Sequence, residues 1–311
     1  MQVREIRLND APAQFWEIAR DSGPASVFYH PDLLDLWSNC YGWRSVLLIA
    51  SESFLPGLVK ASKLGSCFWS LPFGWYGGVF SPAGSNAACE ALLTHLSQSK
   101  YAEISVVQFS EPSVGGMVTP GFQRRELNTH VLDLKGVLSY SENTQRNLLK
   151  AQAQEVQVMP LQLADIPTAM ALLKEHERLT GKPRRIRPQF YEGLLRLGCD
   201  TNRSVRVSMA TSASQMVACH IYLASESDTF YFDGFSSQVG RELSANFLLF
   251  DRVIRDSQSL GLMRLNFGAS PEDDKGLQRF KESWGATPVN YTELYHASGL
   301  KRTVDKLRRR R

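Results

Sequence analysis

Between Asp228 and Tyr295 the chain brings a carboxylate, a hydroxyl-rich loop and a lysine into quick succession. Thr229-Phe-Tyr-Phe-Asp-Gly-Phe235 is aromatic-rich and breaks at Asp233-Gly234, where Asp233 can serve as a proton acceptor at a strand end; an Asp-Gly turn accounts for it equally well. Ser236-Ser-Gln-Val-Gly240 follows as a polar loop ahead of a helix that opens near Arg241. The first amides of a helix lack intrahelical partners and lie at the positive end of its dipole. Ser236, Ser237, Gln238, Gly240 and Arg241 therefore mark a place suited to phosphate or carboxylate. Lys281 lies between Phe280 and Trp284 on a short amphipathic helix, where two rings can hold its stem and where a solvated surface lysine fits as well.

Three further stretches carry candidate binding groups. In Leu71-Pro-Phe-Gly-Trp-Tyr-Gly-Gly-Val-Phe80, paired glycines let backbone approach a ligand closely, and Trp75 and Tyr76 offer stacking surface beside Gly77 and Gly78; a β-bulge with packed aromatics reads the same. Arg146 and Lys150 are four apart on one helical face and can meet one anion. Lys182, Arg184, Arg185 and Arg187 cluster in a proline-bounded loop that reads either as an anion site or as solvated surface. His220, inside an apolar strand, is expected to be a buried core residue, and His30, before Pro31, to belong to a helix cap.

The elements that position these residues follow from periodicity. Leu243, Phe247, Phe250 and Ile254 recur at helical spacing up to Gly261, and Leu262 to Phe267 is a strand closed by Gly268, so strand, helix and strand make a crossover unit. A short helix with Leu277, Phe280 and Trp284 on one side leads to a last strand over 289–295. Upstream, Pro31 opens a helix that Gly42 ends. Strands are expected at 45–50, 55–61, 67–71 and 103–109, with a helix over 86–98. A loop covers 111–121, a strand 128–134, and a helix opens at Asn143. A strand at 156–161, helices at 165–179 and 189–197, and strands at 205–211 and 216–224 complete the order.

The order of elements, Asp233-Gly-Phe-Ser-Ser237, Asn266-Phe-Gly-Ala-Ser270 and above all Gly276-Leu-x-x-Phe280-Lys281-x-x-Trp284-Gly285 resemble the FemAB-like (Fem-type) branch of the GNAT acyltransferase superfamily, which includes the peptidoglycan aminoacyltransferases. The resemblance implies an α/β fold of two tandem GNAT-like domains, each a mostly antiparallel mixed sheet flanked by helices. They would span 1–138 and 139–298, followed by a tail over 299–311. It implies transfer of an acyl or aminoacyl group to an amine or hydroxyl acceptor, with Lys281 stabilising charge at the donor carbonyl. Arg146 would meet the acceptor's phosphates and the Trp75 to Gly78 segment would lie near the acceptor. The superfamily's phosphate-loop pattern is matched here only at Gly240, because Ser237 and Glu242 hold the outer positions. Acyl-coenzyme A and aminoacyl-tRNA both remain as donors. A non-catalytic GNAT-fold binding module that has lost donor binding is the alternative.

With 311 residues, 43% hydrophobic and 21% charged, the chain has room for two folded domains. No apolar run approaches the length that crosses a bilayer, and the first residues do not read as a secretory signal, which leads to a cytoplasmic expectation. Five scattered cysteines without CxxC spacing point to reduced core thiols rather than a disulfide framework or a metal site. No permanently bound cofactor is expected. The formal charge of +4 is concentrated in residues 301–311, whose seven basic and one acidic residues leave −2 for the rest. Such a tail can contact an anionic surface, tRNA or another polyanion, or simply extend as a solvated terminal helix.

Overall fold

The computed structural model describes the chain except residues 22, 73–74, 82–85, 110–120, 182–183, 201–203, 300 and 304–311. Lys182, most of the expected loop at 111–121 and the end of the basic tail thus lie outside the described residues. In chain order the elements are β1 (Arg4–Arg7), α1 (Ala13–Arg20), α2 (Pro31–Tyr41), β2 (Arg44–Ala50), β3 (Ser53–Lys60), β4 (Cys67–Trp69), α3 (Asn86–Ser97), β5 (Glu103–Gln108) and β6 (Gln123–Asp133). There follow α4 (Glu142–Ala153), β7 (Gln157–Pro160), α5 (Ile166–Thr180), α6 (Pro188–Cys199), β8 (Val205–Ser212), β9 (Gln215–Ala224), β10 (Asp228–Ser236), α7 (Gln238–Glu242), α8 (Ala245–Ser259), β11 (Arg264–Ala269), α9 (Lys275–Glu282) and β12 (Thr287–Ala297).

The chain divides into two compact units, Met1–Asn128 with Asn290–Arg311, and Thr129–Val289. In the first, β1, β2, β3 and β4 pair antiparallel in sequence, β4 pairs parallel with β5, and β12 returns antiparallel to β5 from Thr292↔Gln108 to Ala297↔Glu103. That ladder is why residues 290–297 lie with the first unit although they follow the second in sequence. α3 covers β2 and β3, burying Leu92, Leu93 and Leu96 against Val46, Leu48, Leu55 and Phe68.

In the second unit β7, β8, β9 and β10 pair antiparallel, β10 pairs parallel with β11, and β11 pairs antiparallel with β6. Both faces are covered. α8, packed on α4, lies on the face that His220, Tyr222 and Tyr231 share with Phe250, while α5 and α6 cover the opposite face. The nearly continuous apolar run of β9 follows from this, because a sheet buried on both sides does not alternate between hydrophobic and polar residues.

Local signals act as their chemistry demands, with two corrections. Pro31 takes the first turn of α2, His30 is its N-cap residue, and Gly42 ends it in the left-handed conformation at φ 66°. The helix expected from Leu243 is in fact α7 and α8, split at Ser244, which is left-handed at φ 59° and cannot continue an α-helix; its hydroxyl donates to Asn147 Oδ1 at 2.8 Å. Nor does the strand stop at Asp233-Gly234. β10 runs on to Ser236, Gly234 pairs with His220, and the helix opens at Gln238 rather than near Arg241.

The aromatic-glycine segment is a packing device. Trp75 stacks on Phe28 and meets Trp37, and Tyr76 packs among Phe28, Phe109 and Tyr291, so neither ring offers a free face. Gly77 passes so close to the Ser70 carbonyl and the Tyr29 hydroxyl that a Cβ would sit 2.7 Å from both neighbours. Gly78 is crowded in the same way by Gln108, whose Oε1 accepts from Val79 N. Gly77→Ala is expected to cost about 1–3 kcal/mol, the usual penalty of overpacking, measured by urea unfolding.

His220 is buried and neutral, facing the Tyr222 hydroxyl at 2.8 Å and Asn246 Oδ1 at 3.1 Å, and burial pulls its pKa from 6.5 down to about 4. The unfolded chain binds this proton first as pH falls. Stability is therefore expected to decline from about pH 6.5 toward pH 4, by up to about 1.4 kcal/mol per pH unit from this group, with a shallower slope in His220→Gln by thermal unfolding.

Candidate active site

β10 and β11 run parallel for only three pairs, Asp228↔Arg264, Thr229↔Leu265 and Phe230↔Asn266, and then part. Arg264 grips Asp228 with two hydrogen bonds of 2.6 and 3.1 Å at the closed end. Two bulges cause the parting. β10 slips against β9 between Tyr231 and Asp233, and β11 slips against β6 between Asn266 and Ala269. Each strand thus keeps its outer neighbour and loses its inner one. Beyond Phe230 the β10 bulge also reverses which residues face each side: Asp233 and Phe235 turn toward α5 and α6, Gly234 and Ser236 toward α8.

The β11 side is organised around Lys281. The residue is 3% exposed, and its Nζ donates to the carbonyls of Gly268 at 2.7 Å and Ala269 at 2.6 Å and to Ser270 Oγ at 3.0 Å. An ammonium has three protons, and here all three have acceptors. Gly268 adopts φ 75°, and the Thr129 hydroxyl and Asn266 carboxamide oxygen fix its carbonyl and amide. Burial pulls the Lys281 pKa from 10.5 down to about 7, against the opposing pull of Asp274. Lys281 is accordingly divided between ammonium and amine near neutral pH. Phe280 points the other way, into the aromatic core with Phe247, Phe250 and Trp284.

The β10 side carries the expected anion loop. Asp233 accepts from Arg184 Nε at 2.6 Å, from the Tyr191 hydroxyl at 2.5 Å and from Gly234 N at 2.7 Å. With its oxygens engaged by three donors it anchors Arg184, at the position read from sequence either as a proton acceptor at a strand end or as an Asp-Gly turn. Ser236 is buried and its amide donates to His176 Nδ1 at 2.9 Å, with the Arg241 guanidinium 3.5 Å from the same nitrogen. Burial, and next the nearby Arg184 charge, push the His176 pKa down. Ser237 caps α7 by accepting from Gly240 N at 3.1 Å, while Gln238 is exposed and donates to Glu242. Gly240 is required by packing, since a Cβ would lie 2.1 Å from the Val217 carbonyl oxygen of β9.

The remaining expected residues fall elsewhere. Arg146 and Lys150 are both exposed on α4, whose buried face is Thr144, Leu148 and Ala151. Trp75, Tyr76, Gly77 and Gly78 belong to the first unit's core. Arg185 and Arg187 are exposed, whereas Arg184 is drawn in over the rings of Tyr191 and Phe235. His176, Tyr191, Thr129 and His130 were not singled out by sequence, and Ser270 was visible only as the end of the Asn266 to Ser270 motif; they reach the two strands from α5, α6, β6 and the segment after β11, and no short-range pattern links them. Among the described residues no cluster of His, Cys, Asp and Glu could hold a metal ion, and no helix is long and apolar enough to cross a membrane.

Residues 140–282 match the acetyltransferase (GNAT) domain family model. No curated protein matches the chain in sequence. In structure the chain is similar to the crystal structure of FemX, with 12% identity, a TM-score of 0.73, and 94% of this chain and 97% of that one covered. It is also similar to the C-terminal domain of a putative lysylphosphatidylglycerol synthetase from Agrobacterium fabrum, at 10% identity, TM-score 0.61 and coverage of 92% and 93%. A tandem GNAT protein from the clavulanic acid biosynthesis pathway aligns at 10% identity and TM-score 0.52, with 96% and 99% covered. Two strands that part after a short parallel ladder, a capped helix start beside one and a buried lysine beside the other thus stand in a chain whose residues 140–282 match the acetyltransferase (GNAT) domain model and whose fold is that of FemX and of a tandem GNAT protein.

Proposed function

We propose that this protein transfers an acyl or aminoacyl group from an activated donor to an amine or hydroxyl acceptor of cell-envelope or polysaccharide metabolism, in the cytoplasm. The observation that carries the reading is the parting of β10 and β11 with the Lys281 ammonium fixed at the end of β11. Attack on an acyl carbonyl creates an oxyanion, and a positive charge already oriented in a water-poor site stabilises it without reorganisation. Lys281 has that placement, and as an amine it can also take up a proton. Ser236, Ser237, Gln238, Gly240 and Arg241 form the donor side, where Arg184, held by Asp233, and Arg241 supply positive charge for a phosphate-bearing donor, acyl-coenzyme A or aminoacyl-tRNA. Exposed Arg146 is the candidate contact for acceptor phosphate. A fold neighbour named for lysylphosphatidylglycerol synthesis supports an envelope acceptor.

A non-catalytic module is the second reading, and one observation favours it: Gly240, the one position of the phosphate-loop pattern present, is consumed by packing on β9. Calorimetric titration with acetyl- and longer acyl-coenzyme A, beside filter binding of aminoacyl-tRNA, separates the two. Saturable binding weakened by Arg241→Glu is expected; absence of binding to every donor would leave the module.

With a donor and acceptor in hand, Lys281→Gln, which removes the charge facing the oxyanion, is expected to lower kcat by about 10²- to 10³-fold, the scale of lost oxyanion stabilisation. A folded Lys281→Gln protein with full activity would overturn the assignment. Asp233→Ala, which leaves Arg184 without its carboxylate, is expected to cost about 1–3 kcal/mol in denaturant unfolding, and Asp233→Asn less.

A further inference from the structure

Behind Lys281 lies a buried chain of side chains that the transfer chemistry above does not use. Ser270, 1% exposed, accepts from Lys281 Nζ and lies 2.7 Å from His130 Nδ1; His130 is 2% exposed. Ser270 Oγ has two lone pairs and one proton, so while accepting from the lysine it can donate that proton to Nδ1, in the tautomer that carries the ring proton on Nε2. That Nε2 makes no hydrogen bond. It faces Glu282 Oε1 at 3.6 Å, and Glu282 is half exposed. The line Lys281, Ser270, His130, Glu282 therefore leads from the end of β11 to solvent.

We propose that His130 is a positioning residue for Lys281: through Ser270 it decides whether a positive charge stands at the β11 carbonyls or beside Glu282. Two protons move together. Lys281 Nζ gives one to Ser270 Oγ as the Ser270 proton passes to His130 Nδ1. Lysine becomes a neutral amine, serine is unchanged, and histidine becomes an imidazolium facing the Glu282 carboxylate. No bond between heavy atoms changes and the total charge is conserved. In the first state the ammonium serves an oxyanion; in the second the charge is withdrawn to the Glu282 side, leaving an amine whose lone pair accepts from the Ser270 hydroxyl. The assignment of the first state to an oxyanion rests on the acyltransferase reading, whereas the relay does not.

The charged and titratable groups facing the relay are His130 on β6, Glu282 on α9 and Asp274 at the head of α9. Burial lowers the His130 pKa, the Lys281 charge lowers it further, and Glu282 raises it. The fall of the Lys281 pKa to about 7 brings the lysine toward the imidazole range, and Glu282 opposes the lowering of His130, the condition under which a proton can be shared between them.

The test uses the full chain labelled with ¹³C and ¹⁵N at lysine. The Lys281 Cε and Nζ signals, identified by their loss in Lys281→Arg, are titrated by NMR. In His130→Phe the serine proton has no outward acceptor and turns to Nζ, favouring the amine. The Lys281 midpoint is expected to fall by about one pH unit, the size of one charge-assisted hydrogen bond. Ser270→Ala removes the acceptor itself and is expected to lower the midpoint likewise. His130→Asn, whose Oδ1 keeps the serine hydrogen bond but cannot take up a proton, is expected to hold Lys281 as the ammonium with a midpoint above the original, and a midpoint equal to the original overturns the relay. An unchanged midpoint in folded His130→Phe and Ser270→Ala overturns the relay, and Ser270→Ala decides alone should His130→Phe fail to fold. A midpoint that moves as expected in a protein that transfers no acyl group supports the relay and removes the acyltransferase reading instead.

Discussion

The parting of β10 from β11 is the constraint from which the rest of the second unit follows. A parallel ladder that continued would satisfy both strands and leave nothing to bind or catalyse with. Two bulges, one in each strand, end it after Phe230 and Asn266. Each freed edge is then claimed by groups from outside the pair. On β11 an ammonium takes the Gly268 and Ala269 carbonyls; on β10 Arg184 takes the Gly234 carbonyl and Asp233, and His176 accepts the Ser236 amide. Burying such polar side chains costs desolvation, and their full hydrogen bonding is what makes that cost bearable.

The same accounting explains why the lysine is tunable. A charge held by three neutral acceptors and opposed by burial lies close to its own midpoint, so small changes in its partners move its protonation. Asp233 is the contrasting case. Paired with a guanidinium and a phenol, it holds structure in place and shields Arg184 from the cost of being buried alone.

Much of the fold was legible in the chain. Helical spacing placed α2, α3, α5 and α6 to within a residue or two, and Gly42 and Pro31 marked their helix as expected, because those signals act over one or two turns and require no partner. The Asn266 to Ser270 stretch and the Phe280-Lys281 pair were also visible as motifs. Hidden were the break at Ser244, the course of β10 past Gly234 and the covered faces of Trp75 and Tyr76. Each depends on a neighbour far away in sequence: Asn147 for Ser244, β9 for Gly234, Phe28 and Tyr291 for the rings.

Glycine shows the division most clearly. The sequence marked Gly77 and Gly78 as places where backbone can come close to something and Gly240 as part of a phosphate-loop pattern, which are properties of the residue itself. What comes close is Ser70 and Tyr29, Gln108, and the Val217 carbonyl, and only the packed chain decides that. In the same way residue order determined that Lys281 would stand on an amphipathic helix beside Phe280 and Trp284. Its burial, its three acceptors and its link to His130 arise from β6 and β11 meeting across more than a hundred residues, a pairing that local periodicity does not encode because it is set by which surfaces can be buried together.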